Sequence, residues 1–288
     1  MNRIYQVAGH SFGVSGERLC RVVESIDGFA PFRIDEGEVL FSFVEGTEVP
    51  EIRRILYNFT SEGVTGIFGR TEQGFLLTLS PEDGSILNLW HNEGEKRVYM
   101  SGNGTINMYN FALWIGLGLM VAPYGTVAIH SSCIVYHDKA VLFLGESGTG
   151  KSTHTRLWRE NIEGTILLND DSPFLRVEEG KVWAYGSPWS GKTPCYKQER
   201  YELAGCVRLS QAPYNRIHKL SILQAYGAIH PSCPPAFAYD NALYDHIGDF
   251  IGNLLSSVPL YHLECLPDRD AAQLSCSTIF GEAQPKRR

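Results

Sequence analysis

Residues 145–152 read Gly-Glu-Ser-Gly-Thr-Gly-Lys-Ser, an unbroken match to G-x-x-x-x-G-K-[ST]. The chemistry this pattern serves is the binding of phosphate. Gly145, Gly148 and Gly150 let the backbone turn tightly, so that its N–H groups, including those of Glu146, Ser147 and Thr149, converge on phosphate oxygens. A helix opening at the end of the loop adds the positive end of its dipole. Lys151 is predicted to neutralise the β and γ phosphates and the Ser152 hydroxyl to coordinate Mg²⁺, while Thr153 begins the helix.

A second chemical signal is Asn169-Asp170-Asp171. A ten-residue helix leaving the loop travels ~15 Å, and a four-residue strand returns ~13 Å, so the chain comes back beside the phosphates. Two adjacent carboxylates there can divide the work: one holds the metal, and the other faces an acceptor hydroxyl and takes its proton. His130, fifteen residues before Gly145, is predicted to lie in the preceding strand, either as a core residue or as a group that orients Asp170 or Asp171 and tunes its pKa. Residues 185–193, Tyr-Gly-Ser-Pro-Trp-Ser-Gly-Lys-Thr, read as a small-residue turn, either an ordinary surface loop or one whose Lys192 approaches a transferred phosphoryl group from the side opposite Lys151. The remaining histidines show no metal-ligand spacing.

The elements that must position these groups follow from the apolar pattern. The loop sits after an apolar run at 140–144 and before a helical stretch at 151–160, the context its motif requires. A strand is predicted at 126–136, separated from 140–144 by His137-Asp138-Lys139 at hairpin spacing. Further strands are expected at 165–168, 203–209 and 260–265, and helices at 219–228, 241–256 and from 268 onward. Residues 3–99 instead show short β-branched and aromatic runs at 4–7, 39–43, 66–68, 75–79, 86–90 and 97–100, with weaker helix candidates at 16–25 and 49–57. A long helix at about 104–121 marks the change of pattern. The chain is therefore read as α/β, with a β-rich N-terminal domain over 1–100 for substrate or partner recognition and a nucleotide-binding domain over 101–288.

Composition narrows the function further. With 288 residues, 43% of them hydrophobic and 20% charged, this is a globular chain that needs no staple. A net charge of −7 argues against a nucleic-acid partner, and six of those seven charges fall within residues 1–100. The seven cysteines contain no CxxC and read as reduced structural thiols, and the N-terminus has no leader pattern, so a cytoplasmic location is expected. Residues 101–136 hold no Asp, Glu, Lys or Arg, but the continuously apolar part, 111–122, is about half the ~20 residues a bilayer span needs. A buried helix, and no membrane partner, is the expectation. The basic tail Lys286, Arg287 and Arg288 is read as solvated.

The loop Gly145–Thr153 followed by Asp170-Asp171 resembles the corresponding segments of phosphoenolpyruvate carboxykinases and HPr serine kinase/phosphorylases, and His130 is similar to the histidine that HPr kinases place near their catalytic aspartates. The resemblance covers roughly 104–200. It implies a carboxykinase/HPr kinase-like P-loop domain that binds ATP or another nucleoside triphosphate with Mg²⁺. Ser152 and Asp170 would then hold the metal and Asp171 would be the general base, with the two aspartates interchangeable. It also implies a kinase acting on a hydroxyl of a protein, peptide or small molecule, and a homo-oligomer, since related kinases often form rings. The alternatives are a nucleotide-sensing or scaffold protein without turnover, and a small carboxykinase-like enzyme.

Overall fold

The computed structural model describes residues 1–191 and 193–281 of the chain. It is a mixed α/β structure with two large sheets, divided into two compact units: Met1–Pro123 with Pro235–Tyr244, and Tyr124–Pro234 with Asp245–Arg288.

The first unit contains β1 (Asn2–Val7), β2 (His10–Ser15), α1 (Glu17–Glu24), β3 (Arg33–Ile34), β4 (Phe41–Glu45), β5 (Arg54–Ser61), β6 (Val64–Arg70), β7 (Gly74–Pro81), β8 (Leu87–Asn92), β9 (Arg97–Gly102) and α2 (Ile106–Val121). Its nine strands form one sheet in the order β3-β1-β2-β4-β9-β8-β7-β6-β5. Phe12, Phe41, Phe43, Leu77, Leu89, Val98 and Met100 are buried in its core. Helix α2 belongs to this unit, so the sequence-based boundary near residue 100 falls short of the structural one. The reason is packing: a Cβ on Gly116 of α2 would lie 2.6 Å from the Phe43 ring and 3.0 Å from Leu89, an approach that joins the helix to the sheet. With its terminal turn this helix runs Ile106–Tyr124, long and apolar enough by length and composition to cross a membrane, but 61% of that stretch is buried inside the protein.

The expected helix at 49–57 is absent. Tyr57 and Phe59 alternate with Asn58 and Thr60 at the period of a strand, and Arg54–Ser61 form the edge strand β5 paired to β6, with a register shift at Leu56. In the same unit, the buried Asp240 carboxylate receives the Arg70 guanidinium through two contacts, 2.7 Å from Nε and 2.9 Å from Nη2.

The second unit contains β10 (Thr126–Ala128), β11 (Ser131–Tyr136), β12 (Lys139–Leu144), α3 (Lys151–Asn161), β13 (Ile166–Asp171), β14 (Phe174–Glu178), β15 (Lys181–Tyr185), β16 (Arg200–Gln211), β17 (Arg216–Lys219), α4 (Ile222–Ile229), α5 (Asn241–Ser257, which starts in the first unit and enters this one at Asp245), β18 (Leu260–Cys265) and α6 (Arg269–Phe280). The run expected as one strand at 126–136 is two, interrupted at Ile129 and His130. The expected helix at 219–228 begins only at Ile222, because 216–219 pairs with β18 as a strand. The β11–β12 hairpin is present, with His137 and Asp138 both at positive φ (48° and 56°), as a two-residue turn with the sheet's own twist requires.

The central order of this sheet is β13-β11-β12-β16, and the long β16 pairs with β15 at its start and with β18 toward its end. Val141, Phe143, Val207, Leu209 and Leu263 point to one face, where Leu157 and Trp158 of α3 and Ala272 and Cys276 of α6 cover them. All seven cysteines are free. Burial pushes the Cys206 and Cys276 thiols up to about 12, so they behave as apolar filler.

Candidate phosphate-binding site

The loop between β12 and α3 has the backbone its sequence demands. Gly145, Gly148 and Gly150 have φ of 150°, 84° and 103°. At Gly145 the requirement is doubled, since a Cβ there would also lie 2.4 Å from Thr149 Oγ1. The turn is closed by Thr149, whose amide and hydroxyl donate to the Glu146 carbonyl at 3.2 Å and 2.8 Å. Gly150 caps α3 in the left-handed conformation, so the first amides of the helix face the loop.

Lys151 folds back over this turn. Its ammonium donates to the carbonyls of Gly145 (2.7 Å) and Glu146 (3.2 Å) and lies 3.1 Å from His130 Nε2. Desolvation pulls its pKa below the usual lysine value, opposed by Asp171 and Asp170 and assisted by Arg208.

The two aspartates lie within β13, at its end, rather than in a turn beyond it. Strand geometry then separates them, because successive side chains point to opposite faces of a sheet. Asp170 pairs in register with Ser132 of β11, which pairs with Phe143 of β12, so it shares the α3 face. There its buried Oδ1 accepts from Ser132 Oγ at 2.6 Å and from Ser152 Oγ at 2.9 Å, and Ser132 Oγ is in turn 3.2 Å from Thr155 Oγ1. Asp171 points the other way, half-exposed, with Oδ1 3.4 Å from His130 Nδ1.

His130 is not in a strand and not in the core. It occupies the break between β10 and β11, where its amide donates to the Ser232 carbonyl at 2.7 Å, and its imidazole is 49% exposed. An ammonium only donates, so His130 Nε2 accepts from Lys151, and the ring proton sits on Nδ1, toward Asp171. One imidazole thus spans the lysine and the second aspartate.

Asn169 holds this arrangement from below. Its buried amide accepts from the backbone N–H of Asp171 (3.1 Å) and Ser172 (2.8 Å), and donates to the Trp189 carbonyl at 2.9 Å. Residues 189–191 therefore lie against the aspartates: Gly191 N donates to the Asp170 carbonyl at 2.8 Å, and Asp171 and Ser190 form an isolated bridge. A Cβ at Gly191 would come within 2.6 Å of that carbonyl. Lys192, predicted to act from this turn, lies outside the described residues.

Beside the loop opens a cleft of about 530 Å³, floored by Gly150 and Thr153 and walled by Leu209, Ala212, Leu266 and Pro267. Its volume and its apolar walls suit a planar organic group attached to whatever the loop holds. Among the described residues no three His, Cys, Asp or Glu side chains come together as a metal cage. One buried carboxylate with two hydroxyls beside it suits Mg²⁺, which takes few protein ligands and keeps water and phosphate oxygens as the rest.

The loop, both aspartates and His130, all named from the sequence, are brought together here, and beside them stand Ser132 and Arg208, which the sequence reading did not name. Arg208 lies on β16 opposite Leu144, the last residue before the loop. Its guanidinium sits 3.6 Å from the Glu146 carboxylate. Neither residue carries a motif, and only strand pairing brings them here.

No family model matches the chain, and no curated protein matches it. Among solved structures, the HPr(Ser) kinase/phosphatase from Coxiella burnetii aligns with it at 15% identity and a TM-score of 0.31, over 53% of this chain and 87% of that one.

Proposed function

We propose that the chain is a Mg²⁺-dependent phosphotransferase that passes the γ-phosphoryl group of ATP, or of another nucleoside triphosphate, to a hydroxyl on a protein, peptide or small molecule. The observation that carries this reading is the 2.9 Å bond between Ser152 Oγ, the first hydroxyl of the loop helix, and Asp170 Oδ1, with Asp171 on the opposite face beside His130. A loop that binds phosphate needs only its glycines and its lysine. A second carboxylate turned away from the metal position is what an acceptor needs.

In this reading the loop amides and Lys151 hold the phosphates, exchanging their contacts with the Gly145 and Glu146 carbonyls for phosphate oxygens. Ser152 and Asp170 would hold Mg²⁺, which supplies charge neutralisation between the phosphates. Asp171 positions the acceptor hydroxyl and receives its proton as the new oxygen–phosphorus bond forms. The bond from phosphorus to the bridging oxygen breaks, and its electron pair leaves with the nucleoside diphosphate. His130 directs its Nδ1 proton at the same carboxylate and so fixes its orientation. The apolar cleft takes the base.

The test is calorimetric titration with Mg·ADP together with an assay of γ-phosphoryl loss from Mg·ATP. Lys151→Ala is expected to lower nucleotide affinity at least about a hundredfold, through loss of the cation at the phosphates. Asp171→Asn should keep the nucleotide and abolish transfer. Undiminished transfer by Asp171→Asn would remove the assigned base, and no heat from the wild-type chain with Mg·ADP would remove the nucleotide reading altogether.

A further inference from the structure

Resting on the phosphotransferase reading, we propose that Arg208 is a catalytic residue of that site, the guanidinium that meets the phosphoryl group during transfer. Strand register places it. Asp171, Ser131, Leu144, Arg208 and His262 are successive partners across β13, β11, β12, β16 and β18, one row at the sheet edge from which the loop departs. Registered partners share a face, so Arg208 projects from the same face as Asp171 and away from α3. The two residues lie three strand spacings apart, about 14 Å along the row, with the start of the loop between them. A group held at the mouth of the loop is flanked by Asp171 on one side and by Arg208 on the other.

The side chain is built for that place. It is three-quarters buried, and Nη1 donates to the Ala228 carbonyl at 3.1 Å, which fixes the plane of the guanidinium. Nη2 lies 3.6 Å from Glu146 Oε1. Lys151 Nζ already contacts the backbone carbonyl of the same Glu146, so both cations converge on one loop residue. The Glu146 side chain is 81% exposed and free to swing aside, and a phosphoryl group brings more negative charge than one carboxylate. Arg208 then exchanges Glu146 for the oxygens of the transferred group, whose charge it neutralises. It gains and loses no proton, since Asp171 takes the proton and the departing diphosphate takes the electron pair.

The test uses the full chain with Mg·ADP, with and without aluminium fluoride, which mimics the phosphoryl group in flight. Calorimetry of wild type, Arg208→Met and Arg208→Lys reads the tightening that aluminium fluoride adds. All three should bind Mg·ADP within about twofold of one another. The added tightening should fall about a hundredfold or more in Arg208→Met, the loss typical of one preorganised donor. Arg208→Lys should recover part of it, as a point charge without the planar fork. An unchanged increment in Arg208→Met overturns the proposal, as does an equal loss of plain Mg·ADP binding, which would mark a structural role. Wild type that binds Mg·ADP but gains nothing from aluminium fluoride also overturns it, while nucleotide binding stands. Wild type that binds no Mg·ADP overturns the phosphotransferase reading, and this proposal with it.

Discussion

Replacing His154 by glutamine should flatten the acid dependence of the second unit's stability. His154 is the fourth residue of α3, fully enclosed beneath the loop, with Nε2 3.0 Å from Ser275 Oγ on α6 and 3.3 Å from Trp158 Nε1. Burial lowers its pKa from the ordinary 6.5 to about 3, so the folded imidazole stays neutral where the unfolded one protonates. A histidine with a depressed folded pKa contributes its full stability above the unfolded value and loses it as pH falls through 6.5 toward 3. Between pH 7 and pH 5 this one group withdraws about 2 kcal/mol, approaching a ceiling of about 5 kcal/mol below pH 3. Glutamine fills similar space and offers a neutral polar end to Ser275 and Trp158, but it binds no proton in this range.

The assay is amide exchange of peptides covering 151–161 at pH 5 and pH 7, corrected for intrinsic rates, since opening of α3 exposes residue 154. Carboxylates titrating elsewhere contribute equally to both proteins and cancel in the comparison. The variant should start less stable at pH 7 and lose about 2 kcal/mol less than wild type on acidification. Parallel losses in the two proteins would refute the buried neutral imidazole.

Gly145→Ala should weaken Mg·ADP binding by about tenfold or more in calorimetry, because both its φ and the Thr149 hydroxyl oppose a Cβ, and adding Thr149→Ala should restore part of the loss. Ser132→Ala should lower the melting temperature by the equivalent of about 1–3 kcal/mol, since the buried Asp170 carboxylate loses a donor, and should shift the Mg²⁺ concentration needed for nucleotide binding. Arg70→Met should destabilise the first unit by about 1–3 kcal/mol in urea titration, since the buried Asp240 carboxylate loses its two-point partner and keeps only Arg54 at 3.6 Å and the amides of Ala242 and Leu243. Arg70 holds the Asp240 carboxyl below the usual carboxylate range, so this contribution is present at neutral pH and lost on acidification through that range. The difference between wild type and Arg70→Met should therefore shrink at low pH.

How much of this was legible depended on how local each signal was. The glycine loop was readable because all of its parts lie within nine residues, between a strand and a helix that follow directly from apolar patterning. The aspartate pair was readable because one helix and one strand suffice to bring it back. That Asp170 and Asp171 separate onto two faces required knowing that β13 continues through both of them. Ser132 and Arg208 were invisible for a further reason, since Ser132 reaches the site through pairing of β11 with β13 and Arg208 through pairing of β16 with β12, and register between distant strands leaves no trace in local composition. Helix α2 misled in the opposite sense: its uncharged run announced a buried helix correctly but gave no sign of which sheet would bury it. At 49–57 the strand alternation begins only at Tyr57, too late to outweigh the residues before it.

The placement of two neighbouring carboxylates on opposite sides of one strand makes the sheet itself a partition. No rotation of either side chain can exchange their surroundings, and a substitution at position 171 leaves the Ser132–Asp170–Ser152 trio untouched. The tie across the partition is the His130 imidazole, which touches both Asp171 and Lys151, so a change on the Asp171 side reaches the loop through that ring.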